Sequence, residues 1–268
     1  MVDCMDGTSH DKPRALPFVA PCRRLAWDAP LRWMRLGWQD FRRAPGPSLW
    51  YGGLIVLLSY LAVWAAWKLG GWVLILSAMS GFVFIAPVMA IGLYAISCQL
   101  QRGLKPRIRF CLLEGRRQLG NELVYSFILL VIFLLWARAA SMVHIFFPVE
   151  TQPELADLAL FLGIGTVIGS VFATLAFAAS AFSLPMMLDR KTDTVTAVLT
   201  SVNAVLRNKG PMALWAGIIV LFLLVGFATA FLGLAILMPL LGYATWHAYQ
   251  ETIQPDAWPE NEKLPLRS

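Results

Sequence analysis

Ser183-Leu-Pro-Met-Met-Leu-Asp-Arg-Lys-Thr-Asp193 closes a long apolar run with a proline and then sets four charges within five residues. Such an edge is either a reactive site or the point where a helix leaves a membrane, and the choice decides the fold. Upstream of it, residues 158 to 184 contain no Asp, Glu, Lys or Arg. The chain as a whole has 268 residues, 58% of them hydrophobic and only 14% charged, with a mean hydropathy of +0.65. That is too apolar for a soluble domain of this length, and a bilayer is the natural solvent.

A helix that crosses the hydrocarbon core needs about 20 mostly apolar residues. Six stretches qualify, near 48–67, 72–98, 121–141, 158–184, 212–228 and 230–250, which predicts an all-α, polytopic membrane protein. The last two are the tightest, with their turn between Gly226 and Gly233, and one long re-entrant hairpin is the alternative there. None has a charge at its centre, as expected where a mid-bilayer charge costs about 2.5–3.5 kcal/mol or more. Lys68, Glu122 and Arg138 sit at span ends, from which they are expected to snorkel to the headgroups.

The basic residues sort by side. All Lys and Arg except Lys68 and Arg138 fall before span one, in the loops after spans two and four, or in the C-terminal tail. The net charge of +6 therefore reads as topology rather than as a nucleic-acid surface, and the positive-inside rule puts both termini in the cytoplasm. Asp3, Asp6 and Asp11 interrupt the start of the chain, so no secretory signal is expected and residues 1–22 read as a flexible tail. The four cysteines lie on the basic side or at its edge without metal-ligand spacing, so neither a disulfide nor a metal site is expected.

The basic-side segments are patterned. Between 27 and 43, Trp27, Leu31, Met34, Trp38 and Phe41 recur at helical spacing, with Arg32, Arg35, Arg42 and Arg43 elsewhere on the wheel. This predicts an interfacial helix with Trp27, Trp33, Trp38, Arg35, Arg42 and Arg43 as a surface for anionic headgroups or a docking partner. Weaker versions recur near 107–119 and 194–207. Each precedes a pair of spans, so the membrane domain, 23–252, reads as three tandem units of amphipathic helix plus hairpin, about 27–103, 107–190 and 194–252. Residues 253–268 read as a second cytoplasmic tail. Proline sits late in each returning span, at Pro87, Pro185 and Pro239, marking kinks or corners.

Those corners answer the opening question. Pro185 kinks or ends span four, Asp189, Arg190 and Lys191 are expected in cytoplasmic water, and Thr192 or Asp193 caps the next helix. Within span four, Gly165, Gly169, Ser170 and Thr174 fall at spacings suited to close helix packing. Together with other span serines and threonines they are also the residues a polar path would use.

Leu31-Arg-Trp-Met-Arg-Leu-Gly-Trp-Gln-Asp40, Phe84-Ile-Ala-Pro-Val-Met-Ala-Ile-Gly-Leu-Tyr94 and Phe182-Ser-Leu-Pro-Met-Met-Leu-Asp-Arg190 resemble a family of bacterial integral membrane proteins of unknown function. Some of its members are labelled cytochrome c oxidase subunits. The resemblance covers roughly 25–250 and implies a proteobacterial-type inner-membrane location, but no reaction. Ligand chemistry excludes a catalytic oxidase subunit, which needs about six histidines to hold two haems and copper. This chain has three, and only His247 lies on a span. With Tyr243 and Trp246 it reads as an interfacial belt, a haem on His247 being the lesser alternative.

No facing carboxylates, nucleophile–base pair, phosphate loop or dinucleotide motif is present, so no enzyme, cofactor or nucleic-acid partner is expected. Two roles remain. One is a scaffold, assembly or regulatory factor for an envelope or respiratory complex, with a membrane-protein partner or as a homo-oligomer. The other is a small permease or lipid-handling protein for uncharged or amphipathic cargo.

Overall fold

The computed structural model describes residues 17–69, 72–108, 119–146 and 155–261. Most of the amphipathic segment expected at 107–119 lies outside these residues. The described chain is helical, with α1 (Ala29–Arg43), α2 (Pro45–Leu69), α3 (Trp72–Gln101), α4 (Leu119–Phe146), α5 (Leu155–Ser180), α6 (Ser183–Asp189), α7 (Thr194–Arg207), α8 (Lys209–Ala228) and α9 (Leu234–Thr252). Its β structure is confined, among the described residues, to two isolated antiparallel bridges, Cys22–Ile253 and Arg190–Glu260.

Among the described residues, five stretches are long and apolar enough to cross a membrane: Pro45–Ala65, Val83–Gln101, Gly120–Val143, Leu158–Asp189 and Lys209–Ala228. Burial among them is uneven. Half of the apolar window in α3 is enclosed by the protein, whereas that of α5 contains no buried residue, as expected of a surface facing lipid. The remaining long helix, α9, runs into the polar stretch Tyr243 to Glu251 and is not in that set. Between α8 and α9 the chain turns through Thr229–Gly233, within the expected interval, with Ala230 and Phe231 in left-handed conformation. That conformation strains residues other than glycine. Here Tyr60 donates to the Ala230 carbonyl at 2.6 Å, and the Phe231 ring packs edge-on against Tyr60.

The corner at 183–193 is built differently from expectation. The helix breaks at Ala181 and Phe182, before the proline, and α6 restarts with Pro185 in its first turn. The physical reason is that the ring of Pro185 clashes with the carbonyl four residues back and cannot donate to it, whereas a first turn tolerates both. Pro87 and Pro239 lie buried inside continuous helices. Asp189 is not in water, being only 6% exposed. Asp193 does cap α7, its side chain accepting from the Thr196 amide at 2.9 Å.

α9 organises the body. It packs most extensively against α1 and α2, and also against α3. These approaches require glycine on the partner helices. A Cβ on Gly37 of α1 would lie 2.9 Å from the Ala244 amide nitrogen and 3.0 Å from the Leu240 carbonyl, and one on Gly52 of α2 would overlap the Ala235 carbonyl. The buried rings of Trp33 and Trp215 meet edge to face at 5.6 Å, joining α1 to α8.

Both segments expected as tails engage this body close to its helices. The Ala20 amide donates to Thr200 at 3.0 Å, the Arg23 amide to the Thr252 carbonyl at 2.9 Å, and the Gln254 amide to the Pro21 carbonyl at 2.9 Å. Ala20, Ile253 and Trp258 are buried. These segments satisfy backbone groups that would otherwise be left unpaired beside the helix termini.

Candidate functional site

Polar groups converge where α1 meets the ends of α3, α6 and α9. On α1, burying Ala29, Trp33, Gly37, Asp40 and Phe41 on one face aims Asp40 inward at 3% exposure. Its Oδ2 receives Ser97 Oγ of α3 and lies 2.8 Å from His247 Nε2 of α9. The other imidazole nitrogen lies 3.3 Å from Gln101 Nε2, and Gln101 Oε1 accepts from Trp246 Nε1 at 2.9 Å. A five-residue polar chain thus ties three helices together. Ser97 gives its proton to the carboxylate rather than to the imidazole, which is not the wiring of an activated nucleophile. Both ring nitrogens of His247 are engaged.

One turn further along α9, Glu251 accepts from Trp33 Nε1 at 2.8 Å and from Arg32 at 2.6 Å, while Arg32 also meets Asp28 at 2.6 Å. Tyr243 shares a 2.7 Å bond with Ser48 of α2. Tyr249 donates to Asp189 Oδ2 at 3.1 Å, and Arg190 Nε to the same oxygen at 3.0 Å. Burial lowers the pKa of the Arg190 guanidinium, but the charge and hydrogen bond of the adjacent Asp189 more than offset this and hold it above its ordinary value. The Asn261 amide then covers the open end of α6, donating to the carbonyls of Met187 at 2.7 Å and of Leu188 and Arg190 at 3.1 Å. A polar cavity of about 150 Å³ lies beside Asp189, Arg190, Tyr249 and Arg23.

The expected docking residues divide between two faces of α1. Trp27 and Trp38 are exposed, as are Arg35, Arg42 and Arg43. Trp33 is fully buried and belongs to the α1–α9 contact. The expected packing stripe on α5 meets little of the chain itself. A Cβ on Gly165 would touch nothing within 4 Å, and Gly169 approaches only Trp136 Nε1, at 3.8 Å. Ser170 and Thr174 point outward and bond back to the carbonyls of Val167 and Ser170 at 2.7 Å. Glu122, expected to snorkel, is buried instead.

The sequence reading named Asp189, Arg190 and His247 but missed Asp40, Ser97, Gln101, Tyr249 and Glu251 as partners. The available signal was acidic: Asp40, Asp189 and Glu251 stand among the arginines of the basic segments, and Asp40 lies on the same helical stripe as Trp33 and Gly37.

Residues 73–189, just under half of the chain, match a family described as "Predicted integral membrane protein (DUF2189)". The matched stretch runs from α3 through α6 and ends on Asp189. It agrees with the resemblance to an integral membrane family of no assigned function. No curated protein and no solved structure matches the chain.

Proposed function

We propose that this integral membrane protein is a scaffold, assembly or regulatory factor for an envelope or respiratory complex rather than an enzyme. In this reading it lies in a bacterial inner membrane, and α9 is a sixth span completing the third of three tandem units. The basic end and both termini face the cytoplasm, as the positive-inside rule requires. The observation that carries the proposal is the two-faced character of α1. Its inner face is fixed by Trp33–Glu251 and Asp40–His247, while Trp27 and Trp38 remain exposed outside beside Arg35, Arg42 and Arg43. A helix immobilised by buried polar bonds presents its aromatic and cationic groups at little ordering cost, which favours docking. Anionic headgroups and an acidic membrane-protein partner or second copy suit that face.

The test is purification in mild detergent with identification of co-purifying proteins. Replacing Trp27, Trp38, Arg42 and Arg43 with alanine is expected to release them while insertion is unchanged. Unaltered retention overturns the docking role. Reporter fusions at residues 110 and 200 test the orientation, and an external signal at either overturns it. The alternative, a permease or lipid-handling protein, requires instead a bound small molecule and a cargo-dependent rise in melting temperature. The hydroxyls of Thr166, Ser170 and Thr174 give it little support, since each is satisfied within its own helix.

A further inference from the structure

We infer that Glu122, in the first turn of α4, is a proton-binding site at the edge of the membrane. Its residue is 2% exposed, and neither carboxyl oxygen has a hydrogen-bond partner among the described residues. The other buried acids of the basic end are provided for: Asp40 by Ser97 and His247, and Asp189 by Arg190 and Tyr249. Of the three buried acids among the described residues, Glu122 is the one enclosed without a donor or a counter-charge.

A buried carboxylate with neither is strongly disfavoured, and there are three physical ways out: exposure, a cation, or a proton. Exposure is opposed by the way the first turn of α4 is pinned. The Asn121 side chain donates to the Thr192 carbonyl at 3.3 Å, and Thr194 Oγ1 donates to the Asn121 carbonyl at 3.1 Å, fastening the neighbouring residue to the start of α7. Among the described residues, α3, α4, α5 and α7 place no cation on Glu122. The titratable groups on them are Tyr94 and Cys98 toward the end of α3, Tyr125 one turn along α4, and Asp193 at the start of α7, with Ser180 at the end of α5. Lys191, the nearest basic residue along the α6–α7 connection, is exposed. A proton taken from the adjacent aqueous phase converts the carboxylate to a neutral acid, balancing the charge at the site without any further group.

This site goes beyond the scaffold reading and does not depend on it. Ionisable groups enclosed within membrane spans are rare and mark proton or ion sites. Glu122 supplies one, enclosed within the Gly120–Val143 span and one turn from the basic end. A single acid buried in the first turn of α4, next to the contact of Asn121 with the start of α7, makes the seating of α4 respond to proton occupancy, since a carboxylate formed there must find water or a cation.

The experiment is infrared spectroscopy of the full-length protein in lipid bilayers, with carboxyl-¹³C glutamate incorporated so that only glutamates are seen. At neutral pH the wild-type protein is expected to show a carboxylic-acid carbonyl band, and Glu122→Gln is expected to remove it. The band should convert to carboxylate signal on alkalinisation. A wild-type spectrum with carboxylate bands alone overturns the inference, and would assign the counter-charge to a cation from residues 109–118 or from a partner. So would a protonated band that survives in Glu122→Gln. Should Glu122→Gln fail to accumulate, Glu122→Asp in the same glutamate-labelled protein serves, because it removes the labelled group and must also abolish the band. Thermal unfolding supplies an independent reading: Glu122→Gln, an isostere of the neutral acid, should match wild type at neutral pH and exceed it in alkali. A large loss at neutral pH counts against a neutral group.

Discussion

Trp246 Nε1 donates to Oε1 of Gln101 at 2.9 Å, and this bond settles where His247 carries its proton. An indole nitrogen is only a donor, so the amide oxygen must face it and the amide nitrogen must face His247 Nδ1, 3.3 Å away. Nδ1 then accepts, and Nε2–H donates to Asp40 at 2.8 Å. Removing the imidazole leaves Asp40 buried with Ser97 as its remaining donor. His247→Ala should therefore cost about 2–3 kcal/mol, as for a buried charged acceptor that loses a donor. In a double-mutant cycle with Asp40→Ala the two losses should be clearly less than additive, as read by thermal unfolding in detergent. Additive losses would show that the bond does not hold in solution.

The two faces of α1 make opposite predictions. Trp33→Phe keeps an aromatic ring but removes the N–H that meets Glu251, so it should cost about 1–2 kcal/mol, and Trp33→Ala about 3–5 kcal/mol. Trp38→Ala, on the exposed face, should cost less than about 1 kcal/mol. Equal losses in chemical unfolding would mean that both rings are buried, and that loss of a partner in Trp38 variants is merely loss of folding.

Adjacent glycines on α2 test the approach of α9. Gly52→Ala drives a methyl group into the Ala235 carbonyl, backbone against backbone, and should cost at least about 1–3 kcal/mol. Gly53→Ala meets nothing within 4 Å and should be neutral or stabilising by about 0.5–1 kcal/mol. Melting temperatures of the pair in one detergent decide this, and similar values would place α9 elsewhere.

Asp193 links stability to acid. Burial alone would raise its carboxyl, but hydrogen bonds from the Thr196 amide and hydroxyl and from the neighbouring backbone amides together outweigh that and hold it below the ordinary aspartate value. A group lowered in the folded state contributes its stabilisation above the unfolded value, about 3.9, and loses it as pH falls through the folded one. Asp193→Ala should accordingly cost about 1 kcal/mol at neutral pH, with the difference from wild type shrinking as pH falls below about 4. A difference independent of pH would remove the cap from the account.

The helical class and membrane residence were legible because hydrocarbon acts on every residue of a span and leaves long charge-free runs. The α7 cap was legible for a local reason, since Asp193 sits one residue before the helix and three before the amide it accepts from. Asp40, Ser97 and His247 were not, because their pairing spans up to 207 positions in sequence and depends on how α1, α3 and α9 cross. The same holds for Glu122. Its place near a span end suggested reach to the headgroups, and only its burial in the folded chain reverses that. The stripe from Gly165 to Thr174 meets little within the chain, because small-residue spacing states that a helix can be approached but not by what.

Since α9 supplies the partners of Trp33, Asp40, Ser48 and Gln101, the helices α1 to α3 stay incomplete until α9 itself has left the ribosome. During that interval the insertion machinery or the lipid must shield the waiting polar groups. A transcript cut short before codon 243 would yield a product whose opening helices have no lasting mates, a natural substrate for membrane quality control.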